Sequence, residues 1–233
     1  MEFLAISADE RDVILLSLQV ATVAMIASLP FGLAVAYLLA RGQFPGKSIL
    51  NGIVHLPLIL PPVVTGYLLL IYFGRRGPIG SFLESAFGLV FSFRWTGAAL
   101  ACAVMGFPLL VRSIRLSIEA IDMSLEEAAG TLGASPVWVF VTVTVPLALP
   151  GILAGMILSF AKAMGEFGAT ITFVSNIPGE TRTLATAIYS FTQVPGGDAA
   201  ALRLTVISIA LSFSALIASE WMSRRTLSAK DAA

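Results

Sequence analysis

Charged residues are scarce in this sequence, at 12% of 233 residues, and the 14 basic and 14 acidic side chains cancel to a net charge of zero. Hydrophobic residues make up 57% of the chain, and the mean hydropathy is +0.91. A composition this apolar excludes a soluble globular domain, in which about a quarter of the residues are charged. The zero net charge offers no basic surface for nucleic acid. The composition therefore predicts an integral membrane protein surrounded by membrane lipid.

Cysteine and histidine are nearly absent, with one of each, Cys102 and His55. A single cysteine excludes a disulfide framework and a thiolate metal site, and no HExxH or GxSxG motif supplies a catalytic group. Cys102 lies in an apolar run, which is typical of core packing. A lone histidine on an apolar helix more often bonds a neighbouring backbone group than relays protons. We therefore expect no catalytic residue, no metal and no cofactor, and no enzyme activity in this chain.

The N-terminus lacks the positive charge of a secretory signal. Its first twelve residues hold four acids and one arginine, so the first apolar stretch is expected to remain in the mature protein. Residues 13–40 contain no charge over 28 positions, more than the ~20 residues needed to cross a hydrocarbon core. Similar runs predict one all-α membrane domain, residues 1–233, with about five transmembrane helices. The predicted spans are 13–40, 48–74, 95–117, 137–163 and 199–221.

Prolines interrupt the first two predicted spans. Pro30 is expected to kink the first, because proline removes a backbone hydrogen bond that neighbouring helices must replace. The second span holds Pro57 and the pair Pro61-Pro62. Broken helices expose backbone groups only where these groups contact protein or line a water-filled path. The interruption makes the second span a candidate for the lining of such a path.

Small residues repeat every four positions along the fourth predicted span. Such a stripe lets another helix approach closely, and its members are Gly151, Gly155, Ser159 and Ala163. The stretch that follows, residues 164–198, is long and mixed in character. Its apolar residues at helical spacing predict a short interfacial helix rather than a further span. These residues are Leu184, Ile188 and Phe191.

The loop after the first predicted span ends in Gly46-Lys47-Ser48, as a phosphate-binding loop does. That motif needs four residues between its first glycine and the Gly-Lys-Ser ending, whereas only three separate Gly42 from Gly46, and no strand precedes them. Arg41 and Lys47 are instead typical of an anchor at the membrane surface. The spacing therefore argues against a nucleotide site here.

Carboxylates, small residues and prolines concentrate in residues 119–136, called here the 119–136 segment. Its pattern predicts two short helices joined by a turn. Asp122 or Ser124 can cap the first helix, since a short side-chain oxygen accepts from free N–H groups and an acid suits the helix dipole there. Gly133 is expected to end that helix. Ser135-Pro136 is expected to begin the second, with proline at a position that needs no N–H.

The same segment resembles the EAA signature of binding-protein-dependent ABC importer permeases, through Glu127-Ala128-Ala129, Gly133 and Val143-Thr144-Val145-Pro146. In that family the two short helices form a cytoplasmic coupling loop that docks into a cleft of the ATPase subunit. The resemblance implies that the segment's small residues let an ATPase approach the backbone. The implied coupling residues are Glu126, Glu127, Ala128, Ala129, Leu132, Gly133 and Ala134. The alternative is a solvated loop that only joins two membrane helices.

Longer stretches narrow the resemblance. FPGKSIL, HLPLILPPVVTGYLLL and GEFGATITFVSNIPGETRTL are similar to the permease subunits of bacterial molybdate importers, to which sulfate and thiosulfate permeases are related. The resemblance implies a homodimer that carries two ATP-binding subunits, with ATP hydrolysis in those subunits, and a periplasmic molybdate-binding protein that delivers the anion. Nothing in composition or spacing identifies molybdate itself. Tungstate, sulfate and thiosulfate therefore stay open as substrates.

The charges of the loops favour one orientation only weakly, with seven cations on one face and five on the other. The EAA resemblance implies a cytoplasmic 119–136 segment, and five spans then place the N-terminus in the periplasm and the C-terminus in the cytoplasm of the inner membrane. The cytoplasmic cations are Arg41, Lys47, Arg112, Arg115, Arg224, Arg225 and Lys230. The outward ones are Arg11, Arg75, Arg76, Arg94 and Arg182.

An oxyanion would meet no lysine or arginine in the central parts of the predicted spans. Passage is therefore expected along hydroxyls, exposed backbone and the N–H groups of broken helices. The path candidates are Pro61, Pro62, Gly66, Gly165, Glu166, Thr170, Thr172 and Ser175. The alternative is that these residues only bend helices and cap loops. Arg75, Arg76 and Arg94 are expected to attract the oxyanion or the binding protein, unless they are plain surface charge.

Two other classes compete with an importer permease. A secondary transporter would bring inverted repeats or intramembrane ionisable residues, and besides His55 only near-edge charges qualify here. These are Lys162, Glu166, Arg203 and Glu220. A membrane enzyme would need convergent His, Cys, Asp or Glu side chains. Co-purification of an ATPase subunit would separate the favoured permease from both alternatives.

Overall fold

The computed structural model describes residues 6–231, without the side chains at 215, 216 and 218–231. This part of the chain is all helical and contains no strand. The helices are α1 (Ala8–Arg41), α2 (Lys47–Ile59), α3 (Pro62–Phe73), α4 (Pro78–Phe87), α5 (Trp95–Glu119), α6 (Met123–Thr131), α7 (Pro136–Val139), α8 (Val145–Met164), α9 (Gly168–Val174), α10 (Leu184–Thr192) and α11 (Asp198–Asp231). A π-type turn, Phe140–Thr144, joins α7 to α8, so Pro136–Met164 runs as one long helix.

Helix α1 begins before the predicted span because Ser7 and Glu10 form a capping box. The Ser7 hydroxyl accepts from the Glu10 N–H at 3.2 Å, and the Glu10 carboxylate accepts from the Ser7 N–H at 2.8 Å. Two of the free N–H donors at the helix start are thereby satisfied. The helix continues through Pro30 to Arg41. Its 34 residues extend roughly 50 Å, which is enough to cross a membrane.

Helix α5 packs against α1, α8 and α9. The predicted small-residue stripe of α8 lies against it. A Cβ atom on Gly155 would lie 3.0 Å from the carbonyl oxygen of Leu110. The Ser113 hydroxyl donates to the carbonyl oxygen of Gly151 at 2.9 Å. The close approach confirms the prediction that this stripe serves helix packing.

Two apolar clusters fill the space along α5. One includes Met105, Phe173 and Leu204, and the other includes Ile114 and Ile152. Helices α1, α5 and α8 contribute residues to both clusters. These three helices are therefore the core of the molecule, and the shorter helices pack around it.

The second predicted span is two helices and not one. Helices α2 and α3 meet at Leu60-Pro61 with a bend of 113°. Pro61 and Pro62 cause the break, because neither has an N–H to continue the hydrogen bonding of α2. The sequence predicted an interruption at these prolines, but not its angle. The pair forms either a broken span or a re-entrant loop.

Within residues 6–231, three helices are long and apolar enough to cross a membrane, Ala8–Arg41, Trp95–Glu119 and Pro136–Met164, or four if the bent pair counts as one span. The fifth predicted span, 199–221, lies within α11 and stays a prediction. The side chains of Glu220, Arg224, Arg225 and Lys230 lie outside the described residues.

Residues 164–198 contain two short helices, α9 and α10. The second begins at Leu184, which is fully buried, and confirms the helix predicted from the spacing of its apolar residues. The Ser17 hydroxyl of α1 accepts from the Leu184 N–H at 2.7 Å. This bond fixes α10 against the first half of α1.

Candidate functional site

The 119–136 segment contains the first of the two predicted short helices, α6, and the predicted turn, whereas the predicted second short helix is not separate, because α7 is the start of the long helix Pro136–Met164. The Asp122 carboxylate accepts from the Ser124 N–H at 2.9 Å at the start of α6, and that bond lowers the pKa of the Asp122 carboxyl. Gly133 has a φ of 90°, a left-handed conformation that favours glycine at a helix end. The Ser135 hydroxyl accepts from the Trp138 N–H at the start of α7. All three predicted capping roles are confirmed.

One surface of the 119–136 segment projects away from the rest of the chain. Leu132 is 89% exposed, and Glu127 and Ala128 are exposed beside it. Cβ atoms added to Gly130 or Gly133 would meet no atom within 4 Å. The segment thus exposes three large apolar side chains, Met123, Leu125 and Leu132, beside its small residues, and a group of exposed apolar side chains favours an interaction surface over a plain solvated loop.

Glu126 points the other way from Glu127. Its Oε2 atom lies 2.9 Å from the Arg41 Nε atom, and both side chains are only 13% exposed. Its Oε1 atom accepts from the Thr144 hydroxyl at 2.7 Å. Glu126 is one of the seven predicted coupling residues, and its carboxylate already contacts two other residues of the chain.

The two groups of path candidates lie against each other, because α3 packs on α9. A Cβ atom on Gly66 would lie 2.5 Å from the carbonyl oxygen of Ala169 and 2.9 Å from the Thr172 Cβ. A Cβ atom on Gly168 would lie 2.8 Å from the Cβ of Pro62. The missing side chains allow the two backbones to touch at the break between α2 and α3.

Glu166 lies in the turn between α8 and α9, with a side chain only 1% exposed. Its carboxylate contacts the Lys162 ammonium at 2.5 Å and accepts from the Ala169 N–H at 3.0 Å. A buried carboxylate needs such partners. Glu166 therefore anchors the start of α9, and Gly165 beside it is exposed.

The hydroxyls among the path candidates differ in their availability. Thr170 is buried and donates to the Phe167 carbonyl at 2.9 Å, and Thr172 donates to the Gly168 carbonyl at 2.8 Å. Ser175 is exposed and has a positive φ of 65°.

Thr65, on α3, is a residue that sequence reasoning missed. Its buried hydroxyl has no hydrogen-bond partner within the described residues.

Of the three arginines expected to attract the oxyanion or the binding protein, two line one cleft of about 360 Å³, together with Ser92, Phe93 and Glu180. These are Arg75 and Arg94, and Arg76 lines an adjoining cleft that shares Arg75. Arg75 also lies 3.8 Å from Glu84. The cleft therefore combines cationic and acidic side chains, and Glu180 and Glu84 offset part of its positive charge.

Sequence reasoning assigned Arg41 only as a membrane-surface anchor and did not include Thr144 among the coupling residues. Both contact Glu126. The available signal was the pairing of an acid in the 119–136 segment with a cation at the end of the first span. Lys162 could have been paired with Glu166 from their four-residue spacing, which places them on the same helical face.

A family model described as the binding-protein-dependent transport system inner membrane component matches residues 28–228. The chain is 58% identical over 215 residues to the molybdenum transport system permease protein ModB of Escherichia coli (strain K12), covering 92% of this chain and 94% of that protein. It is 57% identical over 216 residues to ModB of Haemophilus influenzae, covering 93% and 94%. Identity to the sulfate transport system permease protein CysW of Synechococcus elongatus is 37% over 202 residues, covering 85% and 70%.

Solved structures share the fold at low identity. A bacterial alginate ABC transporter, crystallised in complex with an alginate pentasaccharide-bound periplasmic protein, superposes with a TM-score of 0.73 at 18% identity, covering 94% of this chain and 80% of that one. The MetNI methionine ABC transporter in inward-facing form gives a TM-score of 0.70 at 18% identity, covering 91% and 94%. The chain thus shares its fold with chains of two ABC transporters of known structure.

Proposed function

Because the chain belongs to the family of binding-protein-dependent transport system inner membrane components, we propose that it is the permease subunit of an ABC importer that carries molybdate across the inner membrane. The single observation that carries this is the identity with two molybdenum permeases over almost the whole chain. The chain is multi-pass, since several of its helices are long and apolar enough to span a membrane. It provides the route, and a separate subunit hydrolyses ATP.

In this proposal the exposed face of the 119–136 segment docks on the ATPase subunit. The support is its combination of Leu132, which is nine-tenths exposed, with Gly130 and Gly133, which leave the backbone open. An exposed apolar side chain next to accessible backbone suits a partner surface. Two copies of the chain, each holding one ATPase, give a homodimer around a central path. The segment then lies in the cytoplasm, with the N-terminus in the periplasm and the C-terminus in the cytoplasm.

The proposed route follows the contact between α3 and α9. Its support is the break at Pro61-Pro62, where the α3 helix begins with exposed prolines. The exposed Ser175 and Gly165 lie at the two ends of α9. Glu166 takes no direct part, because its carboxylate is already bound to Lys162 and to the Ala169 N–H. It shapes the route by holding α9 in place.

The outward cleft between Arg75 and Arg94 is the proposed seat of an acidic patch of the loaded binding protein. Opposite charges across an interface raise the association rate and make it depend on salt. Neutralising Arg75, Arg76 and Arg94 together is expected to lower the apparent affinity for the binding protein and to flatten its salt dependence. Equal affinity at every ionic strength would leave the three arginines as surface charges.

The decisive experiment is purification of the chain with its ATPase and reconstitution into proteoliposomes with the binding protein. Molybdate is expected to stimulate ATP hydrolysis and to accumulate in the vesicles, and sulfate is expected to do neither. A single cysteine at Ala134 is expected to cross-link to the ATPase, without competition from Cys102, which is buried. If cross-links to the ATPase formed only from residues 75–94, the membrane topology would be the reverse of the proposed one. Stimulation by sulfate alone would overturn the proposed substrate.

A further inference from the structure

Glu126 and Glu127 are adjacent, but they serve different surfaces. Glu127 is exposed on the face proposed to dock the ATPase. Glu126 faces the membrane helices, with its carboxylate between Arg41 at the end of α1 and Thr144, the last residue of the π-type turn before α8. The two carboxylates therefore act on opposite sides of α6.

The contacts of Glu126 join four parts of the chain, and we name Arg41, Ile121, Glu126 and Thr144 the Glu126 cluster. The Arg41 Nη2 atom donates to the carbonyl oxygen of Ile121 at 3.0 Å, in the turn that precedes α6. The Thr144 side chain is fully buried, and its hydroxyl donates to Glu126 at 2.7 Å. Charged hydrogen bonds shielded from water are among the stronger ones in proteins.

A second contact joins the same parts of the chain. Tyr37 lies one helical turn before Arg41 on α1, and its ring packs edge-on against Phe140 with centroids 4.9 Å apart. Phe140 begins the π-type turn that leads to α8. The end of α1 is thus held to α6 by an ion pair and to the π-type turn after α7 by an aromatic pair.

We propose that Glu126 is a positioning residue that ties α6 to α1 and α8, so that the Glu126 cluster transmits movement of a docked ATPase into the membrane helices. This inference rests on the proposed function. A docking surface alone could move without moving the helices behind it. The Glu126 cluster provides the link, because one carboxylate bridges the segment that touches the partner and two of the three core helices.

The first test measures the link itself on the purified full-length chain. Spin labels at Gln43, two residues after α1, and at Ser124, in the first turn of α6, are placed on exposed residues and report the distance between the ends of the two helices. Glu126→Gln is expected to broaden that distance distribution. The double variant Arg41→Glu, Glu126→Arg is expected to narrow the distance distribution again in part. The ion pair re-forms in this variant, but the bond from Arg41 to Ile121 is lost. An unchanged distribution in Glu126→Gln would overturn the link.

The second test measures coupling in proteoliposomes that contain the ATPase and the binding protein. Glu126→Gln is expected to lower molybdate uptake per ATP hydrolysed about tenfold, because the carboxylate charge that faces Arg41 is lost, while the ATPase stays bound. Thr144→Val is expected to shift the ratio in the same direction. Asp198→Asn is the matched control, because Asp198 is an exposed carboxylate at the start of α11, outside both the 119–136 segment and the Glu126 cluster. Its ratio is expected to equal that of the wild type.

The outcomes separate the inference from the proposed function. A wild-type complex without oxyanion-dependent hydrolysis or uptake overturns the proposed function and the transmitting role together. If the wild type couples normally and Glu126→Gln keeps the same uptake per ATP, only the inference fails. If Glu126→Gln releases the ATPase, Glu126 is a docking residue and the transmitting role is wrong. Recovery of the ratio by the Arg41–Glu126 exchange supports the link.

Discussion

At the scale of single residues, Gly66 tests the packing of α3 on α9. Gly66→Ala is expected to destabilise the protein by about 1–3 kcal/mol, because the new Cβ would overlap the Ala169 carbonyl oxygen at 2.5 Å. Gly52→Ala is the matched control, since Gly52 also lies in a helix but has no atom within 4 Å of its added Cβ. That change is expected to be neutral or stabilising. Thermal unfolding in detergent measures both, and equal effects would contradict the contact.

Leu132 tests the proposed docking face. Leu132→Asp is expected to leave the thermal stability of the isolated chain unchanged, because the side chain is 89% exposed, but to weaken ATPase binding, because a charge would be buried at the interface. Leu132→Met, which keeps an apolar side chain, is expected to bind normally. The measurement is the fraction of ATPase that co-purifies with each variant. Full retention with Leu132→Asp would place the docking surface elsewhere.

The roles of single residues could be predicted where those roles depend on residues nearby in the sequence. Asp122, Gly133 and Ser135 were assigned correctly, because capping and left-handed turns depend on neighbours within four positions. The orientation of Glu126 was not predictable. Its partners Arg41 and Thr144 are distant in sequence, and only packing decides which of two adjacent glutamates meets them.

At the scale of elements, the cap of α6 makes its first turn sensitive to pH. The Ser124 N–H lowers the pKa of Asp122 in the folded chain, so the stabilisation is complete above the unfolded pKa of about 3.9 and is lost as the pH falls through the folded value. A lower protection factor of the Ser124 amide, measured against its intrinsic exchange rate at the same pH, is expected at the acid end. Asp122→Asn, which caps without titrating, is expected to remove that pH dependence. An identical acid profile in both would contradict the assignment.

The pair Glu10–Arg203 fixes α11 to the start of α1. Arg203 donates to Glu10 through Nη2 at 2.7 Å and Nε at 3.0 Å, and Glu10 is 1% exposed. Arg203→Gln is expected to cost about 3–5 kcal/mol, because it leaves a buried carboxylate without its cation. Adding Glu10→Gln is expected to recover part of that loss. Chemical unfolding of the single and double variants measures both, and additive losses would refute the pairing.

Helices could be predicted where the spacing of apolar residues and the length of the apolar run agree. Helix α5 begins at the predicted Trp95, and α10 contains Leu184, Ile188 and Phe191, from whose spacing a short helix was predicted. The bend of 113° between α2 and α3 was not predictable. Proline determines that a helix must break, but the direction of the next helix is set by what it packs against, here α9 through Gly66.

At the scale of the whole molecule, the proposed route should bind its anion weakly. The cations near the span ends are already engaged, Lys162 by Glu166 and Arg203 by Glu10, so a dianion meets few uncompensated charges. Equilibrium binding of molybdate to the permease–ATPase complex without the binding protein is expected to be undetectable at micromolar ligand. This suits an importer, which must release its cargo after switching. Tight binding that survives Lys162→Gln and changes along α3 and α9 would relocate the route.

The pair Glu10–Arg203 also has a consequence for synthesis. The two residues are 193 positions apart, so at the usual 5–20 residues per second the ribosome needs roughly 10 to 40 s to make Arg203 after Glu10. During that interval the Glu10 carboxylate has no cationic partner and must stay hydrated, which holds the start of α1 short of its final depth. The last step of folding is therefore expected after translation ends. A nascent chain that stops before α11 would carry an unpaired carboxylate and be an early target for membrane proteases.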